Sequence, residues 1–259
     1  MINVTIFSKD RACQLDAFLR SYYKWTNAPD PSVIYTFGTE CFREGYDKLM
    51  HKFPDVRWIF QGDFKIDTLQ SIDVHKPYTV FFVDDIIFKS NFDIDEVQIL
   101  ENPDVCCLSL RLSPAINYCY SMNIPSPPPQ LDSDYTWNWR GKPGDWGYPM
   151  SVDGHIFNTR DILPLLVNLN YRNPNTLEAG IAGGPLPKPK MACLSEHVIY
   201  NIPQNLVQTE WHNRNFNGLS ASILNEKYLE GEEIDIDHLA SIQNNACHFE
   251  VHYKFNTSP

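Results

Sequence analysis

The stretch that decides the fold reads Thr79-Val80-Phe81-Phe82-Val83-Asp84-Asp85-Ile86-Ile87-Phe88. Its β-branched and aromatic residues form an apolar run, which predicts a strand buried on both faces and leading into two adjacent carboxylates. In an open parallel sheet, ligands bind beyond the carboxyl ends of the strands, so we expect both acids in such a crevice. Because neighbouring strand residues point to opposite faces, Asp84 and Asp85 have different tasks. One can bind a hard divalent cation while the other accepts a hydrogen bond from a hydroxyl. The alternative is a solvated turn or a helix N-cap.

The segments before this strand alternate between strand and helix patterns. Strands are predicted at 2–7, 33–37 and 56–60, and helical patterns follow each of them. Such alternation predicts parallel strands joined by right-handed crossovers. The predicted fold class is therefore α/β, with a mixed, mostly parallel sheet flanked by helices. The first turn lacks the Gly-x-Gly-x-x-Gly that a dinucleotide pyrophosphate needs, so NAD is not expected.

The second half of the chain is less regular. After a predicted strand at 105–112, the pattern breaks for nearly forty residues that are rich in proline, glycine and aromatic side chains. The seven aromatics are Tyr118, Tyr120, Tyr135, Trp137, Trp139, Trp146 and Tyr148. Tyr and Trp present flat faces that suit stacking under a sugar ring, although each of them could instead belong to a satellite core. Further strands are predicted at 150–157, 193–202 and 247–255.

Composition excludes several classes of protein. The chain has 259 residues, 43% of them hydrophobic, which is enough to bury a core and excludes disorder. A formal net charge of −11 argues against a nucleic-acid partner. No apolar run reaches the length of a membrane span, and the pattern of the first residues predicts a strand instead of a signal peptide. Seven cysteines without framework spacing favour a reduced, cytoplasmic protein.

Taken in order, the motifs resemble those of GT-A glycosyltransferases. The resemblance lies in the opening strand and turn at 4–11, in a third strand at 56–63, and in Phe81-Phe82-Val83-Asp84-Asp85, which looks like the strand that carries a DxD-type metal motif. Val83 departs from the pattern, because many members have an acid or Thr there. The resemblance implies one GT-A-like domain over residues 1–259, with a nucleotide-binding half at 1–112 and an acceptor-side half at 113–259.

The same resemblance implies an activity. The chain would be a glycosyltransferase of hexosyltransferase type, moving a sugar from a nucleotide diphosphate, with UDP-sugar favoured, to a glycan or another hydroxyl acceptor. Its cofactor would be Mn2+ or Mg2+, because a metal that bridges both phosphates neutralises the departing diphosphate. An inverting reaction also needs one base, and a carboxylate can serve.

Roles for individual residues follow from the resemblance. On the donor side, Asp85 would bind the metal, Asp84 would face the ribose, Asp63 would recognise the base, and Ser8 and Arg11 would cradle the nucleotide. Either His252, which we favour, or His248 would complete the metal site from the C-terminal strand.

On the acceptor side, the resemblance assigns Trp146, Asp153 and His155, with Glu178 as the general base. The placement of Glu178 on a short helix capped by Asn175 predicts nearby backbone N–H groups that keep its pKa low. The competing interpretations are a first-turn acid that stabilises a helix dipole, for Glu178, and a core histidine, for His155.

Two other functions remain open from the sequence. A nucleotidyltransferase that makes a nucleotide sugar would share the sheet topology and the metal, but it would normally need a glycine-rich first loop, and residues 7–11 contain no glycine. A non-catalytic module that binds a nucleotide or a glycan is the other alternative.

Overall fold

The computed structural model describes residues 1–183, 188–207, 214–216 and 218–257. The first half contains β1 (Ile2–Lys9), α1 (Ala12–Trp25), β2 (Ser32–Thr36), α2 (Arg43–Lys52), β3 (Arg57–Phe60), α3 (Phe64–Gln70), β4 (Tyr78–Val83), β5 (Ile86–Phe88) and β6 (Val105–Ser109). The second half contains β7 (Tyr118–Cys119), β8 (Ile124–Pro125), β9 (Thr136–Asn138), β10 (His155–Asn158), α4 (Thr159–Asn168), α5 (Pro174–Ala182), β11 (Lys190–Cys193), β12 (Ile199–Asn201), α6 (Ala221–Leu229), β13 (Glu232–Ile234), α7 (Ile236–Ala240) and β14 (Phe255–Thr257). Short 3-10 turns lie at Glu40–Phe42, Ile94–Glu101 and Gly144–Gly147.

An eight-stranded sheet with the order β3-β2-β1-β4-β10-β6-β11-β9 forms the centre of the molecule. The first four strands in this order are mutually parallel, β10 is antiparallel to both of its neighbours, and β9 is antiparallel to β11. The predicted class, a mixed and mostly parallel sheet flanked by helices, is therefore confirmed. The sheet takes strands from both halves of the chain.

The strand predicted before the two carboxylates is β4, and a second strand follows them. β4 ends at Val83, the chain turns at Asp84 and Asp85, and β5 continues into a separate two-stranded sheet with β12. Gly154 lies in close contact with both β4 and β12. It has φ +76°, its N–H donates to the Phe81 carbonyl at 2.8 Å, and a Cβ there would lie 2.2 Å from Ile199 Cδ1. Only glycine tolerates that backbone and that contact together.

Two apolar cores cover the two faces of the sheet. One is built around α1 and the inward residues of β1 and β4, and the other contains the aromatic segment with Trp137 and Trp146. These two indoles meet edge to face with ring centroids 4.9 Å apart, and both are buried. The satellite-core interpretation is therefore right for both tryptophans.

The predicted C-terminal strand at 247–255 is wrong for the described residues, because strand structure there is limited to β14 at Phe255–Thr257. The segment does make two backbone hydrogen bonds to β12, from Asn201 N–H to the Cys247 carbonyl at 2.8 Å and from Phe249 N–H to the Asn201 carbonyl at 2.9 Å. β12 is only three residues long, so the pairing ends there. Among the described residues, none of the helices combines the length and the apolar character that crossing a membrane requires.

Candidate active site

A cleft of about 820 Å³ opens where the parallel strands β1, β2, β3 and β4 end. β1 lies between β2 and β4, so the chain leaves β1 at the point where the strand order reverses. Such a switch point is where ligands bind in open α/β sheets, because the loops on its two sides run in opposite directions and leave a crevice. The residues from these strand ends that line the cleft are Phe7, Ser8, Lys9, Ile34, Thr36, Phe37, Gly38, Gln61, Val83, Asp84 and Asp85.

Arg11 joins the two carboxylates of the turn. Its Nη1 lies 2.9 Å from Asp84 Oδ1 and 3.1 Å from Asp85 Oδ2. Its Nε donates to Asn205 Oδ1 at 2.9 Å, and its Nη2 donates to the Asn205 carbonyl. Asp85 also accepts a hydrogen bond from Asn201 Nδ2 at 3.0 Å. The structure thus brings Arg11, Asp84 and Asp85 together, and adds two asparagines that the sequence patterns did not indicate.

Burial sets the electrostatics of this pair. It raises the pKa of Asp84 to about 6, against the lowering influence of Arg11 and with a further increase from Asp85. Burial on its own would lower the pKa of Arg11, but the carboxylates of Asp84 and Asp85 raise the pKa of the guanidinium above its usual range. Asp84 Oδ2 in addition accepts the backbone N–H of Lys9 at 3.1 Å, which holds the carboxylate against the end of β1.

Two other donor-side residues have different positions. Ser8 lines the cleft, and its Oγ lies 2.8 Å from the Tyr46 hydroxyl. Asp63 is exposed and caps α3, because its Oδ1 accepts the Ile66 N–H at 3.0 Å. Phe64, the next residue, lines the cleft in its place.

A second group of charges surrounds Arg111, a residue that the sequence patterns did not single out. The Arg111 guanidinium is 3% exposed and lies 3.2 Å from Asp153 Oδ2 and 3.4 Å from Asp145 Oδ1. His248 Nε2 lies 3.7 Å from the same Asp153 oxygen. All four residues line the cleft. The sequence contains one signal for this group, an arginine between Leu110 and Leu112 in an apolar stretch. A buried charge needs partners, so such an arginine indicates nearby acids.

Glu178 lies beside this group. It is the fifth residue of α5, whose N-cap is Asn173 instead of the predicted Asn175, and its Oε1 accepts the Val152 N–H at 3.1 Å. The expected low pKa is wrong, because burial and then Asp153 raise the pKa of Glu178 to about 7, more than Arg111 and that hydrogen bond lower it. Glu178 also lies beyond the first turn, so stabilisation of the helix dipole does not account for it.

The acceptor-side residues Trp146 and His155 do not reach the cleft. Trp146 is fully buried, and its indole N–H donates to the Ser126 carbonyl at 3.1 Å, so its rings cannot stack on a sugar. Tyr148, two residues later, lines the cleft instead. His155 is also fully buried; its Nδ1 donates to the Pro149 carbonyl at 3.0 Å, and burial lowers its pKa to about 3. The core interpretation of His155 is therefore the one that its surroundings favour.

The two candidate metal histidines are separated as well. His252 is exposed and meets Phe216 edge to face with centroids 4.6 Å apart, outside the cleft lining. His248 is in the cleft, but it faces Asp153 instead of Asp85. The expectation that His252 joins Asp85 at the metal site depends on a continuous strand at 247–255. The described residues of this segment do not form one.

The described residues do not form a complete metal cage, since no group of three or more His, Cys, Asp or Glu side chains converges among them. A site for Mg2+ or Mn2+ that is completed by substrate phosphates needs only one or two protein carboxylates. Asp85, which is partly exposed to the cleft, and Asp84 fit this requirement. Both now have Arg11 as a partner, so a metal would share or replace that contact.

The chain is similar in sequence to a known glycosyltransferase. No family model matches the chain. The chain is 24% identical to the bifunctional glycosyltransferase pgtA of Dictyostelium discoideum; the match covers 76% of this chain and 31% of that protein, so the chain spans about a third of its relative.

Similarity to solved structures is weak. A mannosyltransferase from Pyrobaculum calidifontis, in complex with GDP-Man and Mn2+, matches with TM-score 0.38 and 12% identity over 67% of this chain and 50% of that chain. The 4-diphosphocytidyl-2C-methyl-D-erythritol synthase of Anaerococcus prevotii matches with TM-score 0.41 and 10% identity over 88% of this chain and 98% of that chain. Scores this low do not indicate a function.

Proposed function

We propose that this chain is a metal-dependent glycosyltransferase of GT-A type that moves a sugar from a nucleotide diphosphate to a hydroxyl acceptor with inversion. One observation carries the proposal: a single cleft contains a carboxylate pair with an arginine at the switch point of the sheet and, beside Arg111, a carboxyl group whose pKa is near 7. The sequence similarity to a glycosyltransferase supports it. Hexosyl transfer, a UDP donor and a cytoplasmic setting are parts of the proposal that rest on motif resemblance and cysteine content.

At the switch point, the chain's own groups provide for a nucleotide diphosphate. Arg11 is a fixed cation between β1 and α1, and its planar guanidinium would contact a phosphate by giving up part of its hydrogen bonds to Asp84, Asp85 and Asn205. Asp85 would hold the divalent cation together with phosphate oxygens, and Asp84 would face the ribose. When bound, that cation neutralises charge on the departing diphosphate. Ser8 lies beside Arg11 in the lining and offers a hydroxyl to the nucleotide.

In the region around Arg111, Glu178 is the proposed base. A base works best when its pKa is close to the working pH, because it is then both ionised and strongly basic. Burial gives Glu178 such a pKa, of about 7. The Val152 N–H and the Ser151 side chain hold the Glu178 carboxylate in the cleft, where it would accept the proton of an acceptor hydroxyl. The pKa of Asp153 is also raised by burial, but Arg111 and His248 hold that carboxylate, so it has a positioning role.

The proposal is tested by incubating the protein with Mn2+, a panel of nucleotide sugars and simple sugar acceptors. We expect nucleoside diphosphate release and a product with inverted anomeric configuration. In Glu178→Gln, transfer should fall by about 10²–10⁴-fold while UDP affinity stays the same, because only the base is removed. Glu40→Gln, at an exposed carboxylate that pairs with Arg43, is the matched control and should transfer normally.

Other outcomes identify the alternatives. Pyrophosphate release from a nucleoside triphosphate and a sugar 1-phosphate would replace this proposal with a nucleotidyltransferase. UDP binding without any turnover would support a non-catalytic module. Retention of configuration, or full activity in Glu178→Gln, would remove Glu178 as the base of an inverting reaction.

A further inference from the structure

The part of the cleft around Arg111 has an excess of carboxylates. Asp145, Asp153 and Glu178 line it together with Arg111, and His248 lies against Asp153. One guanidinium cannot balance the charge of three carboxylates. Burial raises the pKa values of Asp153 and Glu178, and the neighbouring carboxylates raise them further. The region is thus rich in hydrogen-bond acceptors and negatively charged when its acids are ionised.

The cations elsewhere in the lining do not compensate for this excess. Lys9 ends β1 and Arg11 caps the start of α1, and Arg11 is already bound to Asp84 and Asp85. Arg214, at the rim, lies 3.4 Å from Glu250 and against the ring of Tyr120. A negatively charged ligand group placed near Arg111 would therefore meet like charges in a partly buried setting, where repulsion is strong.

The same groups suit a ligand that donates hydrogen bonds. An ionised carboxylate is an acceptor only, with two oxygens that can each receive hydroxyl protons. Tyr148 is half-buried in the same lining and adds a flat apolar face with a polar edge. Carboxylates together with an aromatic face match the hydroxyls and the C–H face of an uncharged sugar.

We infer that the acceptor of this protein is an uncharged, hydroxyl-bearing sugar, and that Asp145 and Asp153 exclude acidic sugars from the site. This inference rests on the proposed function and specifies its acceptor. It concerns charge selection by residues around Arg111, whereas the proposed function depends on donor binding at the switch point and on transfer.

The test measures glycan binding in the presence of saturating UDP and Mn2+ at pH 7.5. A glycan array should contain matched pairs, such as galactosides with galacturonosides and neutral glycans with their sialylated or sulfated forms. We expect binding of neutral members, with at least tenfold weaker binding of their acidic partners. In Asp145→Asn and in Asp153→Asn the difference should narrow, because each variant removes one repelling charge but keeps the shape of the side chain. Asp55→Asn, at an exposed acid outside the cleft lining, is the control and should keep the full difference.

The outcomes separate this inference from the proposed function. Acidic glycans that bind as tightly as their neutral partners, or the absence of glycan binding by a protein that still binds UDP, would overturn the inference and leave donor binding intact. Discrimination that persists unchanged in both Asn variants would also overturn it. Failure to bind UDP, measured by calorimetry on the same preparation, would instead count against the proposed function. Thermal unfolding of each variant checks that it folds.

Discussion

Replacement of Arg11 by methionine should expose the electrostatic balance at the switch point. Methionine keeps much of the side-chain length and apolar stem but removes the charge that lies 2.9 Å from Asp84 and 3.1 Å from Asp85. Loss of one partner of a buried ion pair costs about 3–5 kcal/mol, because the remaining charge is left without compensation. Asp84 is buried and should carry most of this cost. We therefore expect a loss of about 3–5 kcal/mol in the free energy of unfolding at pH 8.

At pH 5 the loss should be smaller. The pKa of Asp84 in the folded protein is about 6, so this carboxyl is already mostly neutral at pH 5 and loses little when Arg11 is removed. The hydrogen bonds of Arg11 to Asp85 and Asn205 still disappear, so part of the loss in the free energy of unfolding remains at pH 5. The pH dependence has a definite sign. A carboxyl whose pKa is raised on folding stabilises the protein below its unfolded pKa, and this stabilisation is lost as the pH rises through the folded pKa. Removal of Arg11 raises that folded pKa further, so the loss extends to higher pH.

Urea unfolding at pH 5, 6.5 and 8 measures the effect. Arg43→Met is the matched control, because Arg43 is exposed and its contact with Glu40 should contribute at most about 1 kcal/mol at any of these pH values. A second substitution, Asp84→Asn, should restore much of the stability of Arg11→Met at pH 8, since it removes the uncompensated charge. Equal destabilisation of Arg11→Met at pH 5 and pH 8 would refute the reasoning, as would a failure of Asp84→Asn to restore stability.

Two further predictions concern stability elsewhere. The free energy of unfolding of Glu178→Gln should equal that of the wild type at pH 4 and exceed it by up to about 3 kcal/mol at pH 8, because a folded-state pKa of about 7 makes the ionised wild-type carboxylate destabilising. Thermal unfolding at both pH values measures the difference, and equal stability at pH 8 would contradict the prediction. Gly154→Ala should destabilise the fold by about 2–4 kcal/mol in urea, through a positive φ and a contact with Ile199, whereas Gly231→Ala, with φ +93° but open space around it, should lose less; similar losses in the two would show that the contact is unimportant.

The sheet and the switch point could be predicted from the sequence because both depend on local patterns. Alternating strand and helix periods in the first 90 residues imply parallel strands, and the handedness of the crossovers then leaves few possible strand orders. The apolar run before Asp84 ends at the edge where β1 also ends, so the carboxylates and Arg11 meet. No long-range information beyond this topology was needed to expect them in one cleft.

The region around Arg111 could not be predicted in the same way. Arg111 follows β6, Asp145 lies in the 3-10 turn at Gly144–Gly147, and Asp153 precedes β10, so their meeting depends on irregular segments whose course has no periodic signal. Trp146 illustrates the same limit, because an aromatic residue in a loop can face either the core or a ligand with the same local sequence. The position expected for His252 at the metal site depends on a strand at 247–255. The partner strand β12 has only three residues, and the pairing does not extend to His252.

The two charged regions of the cleft differ in a way that supports a functional origin for the second. At the switch point, two carboxylates share Arg11 and receive further hydrogen bonds from Lys9 and Asn201, although burial still raises the pKa of Asp84 to about 6. Around Arg111, three carboxylates share one guanidinium, and the folded state raises the pKa of Glu178 to about 7. An arrangement selected for stability alone would replace one of these acids with its amide, since the neutral side chain would keep the shape and avoid the repulsion. Groups that reduce stability persist where a ligand or a reaction requires their charge, and strongly perturbed carboxyl groups in a cleft are typical of such sites. The proposed base for an acceptor hydroxyl and the inferred filter against acidic sugars are two requirements that this crowding would meet together.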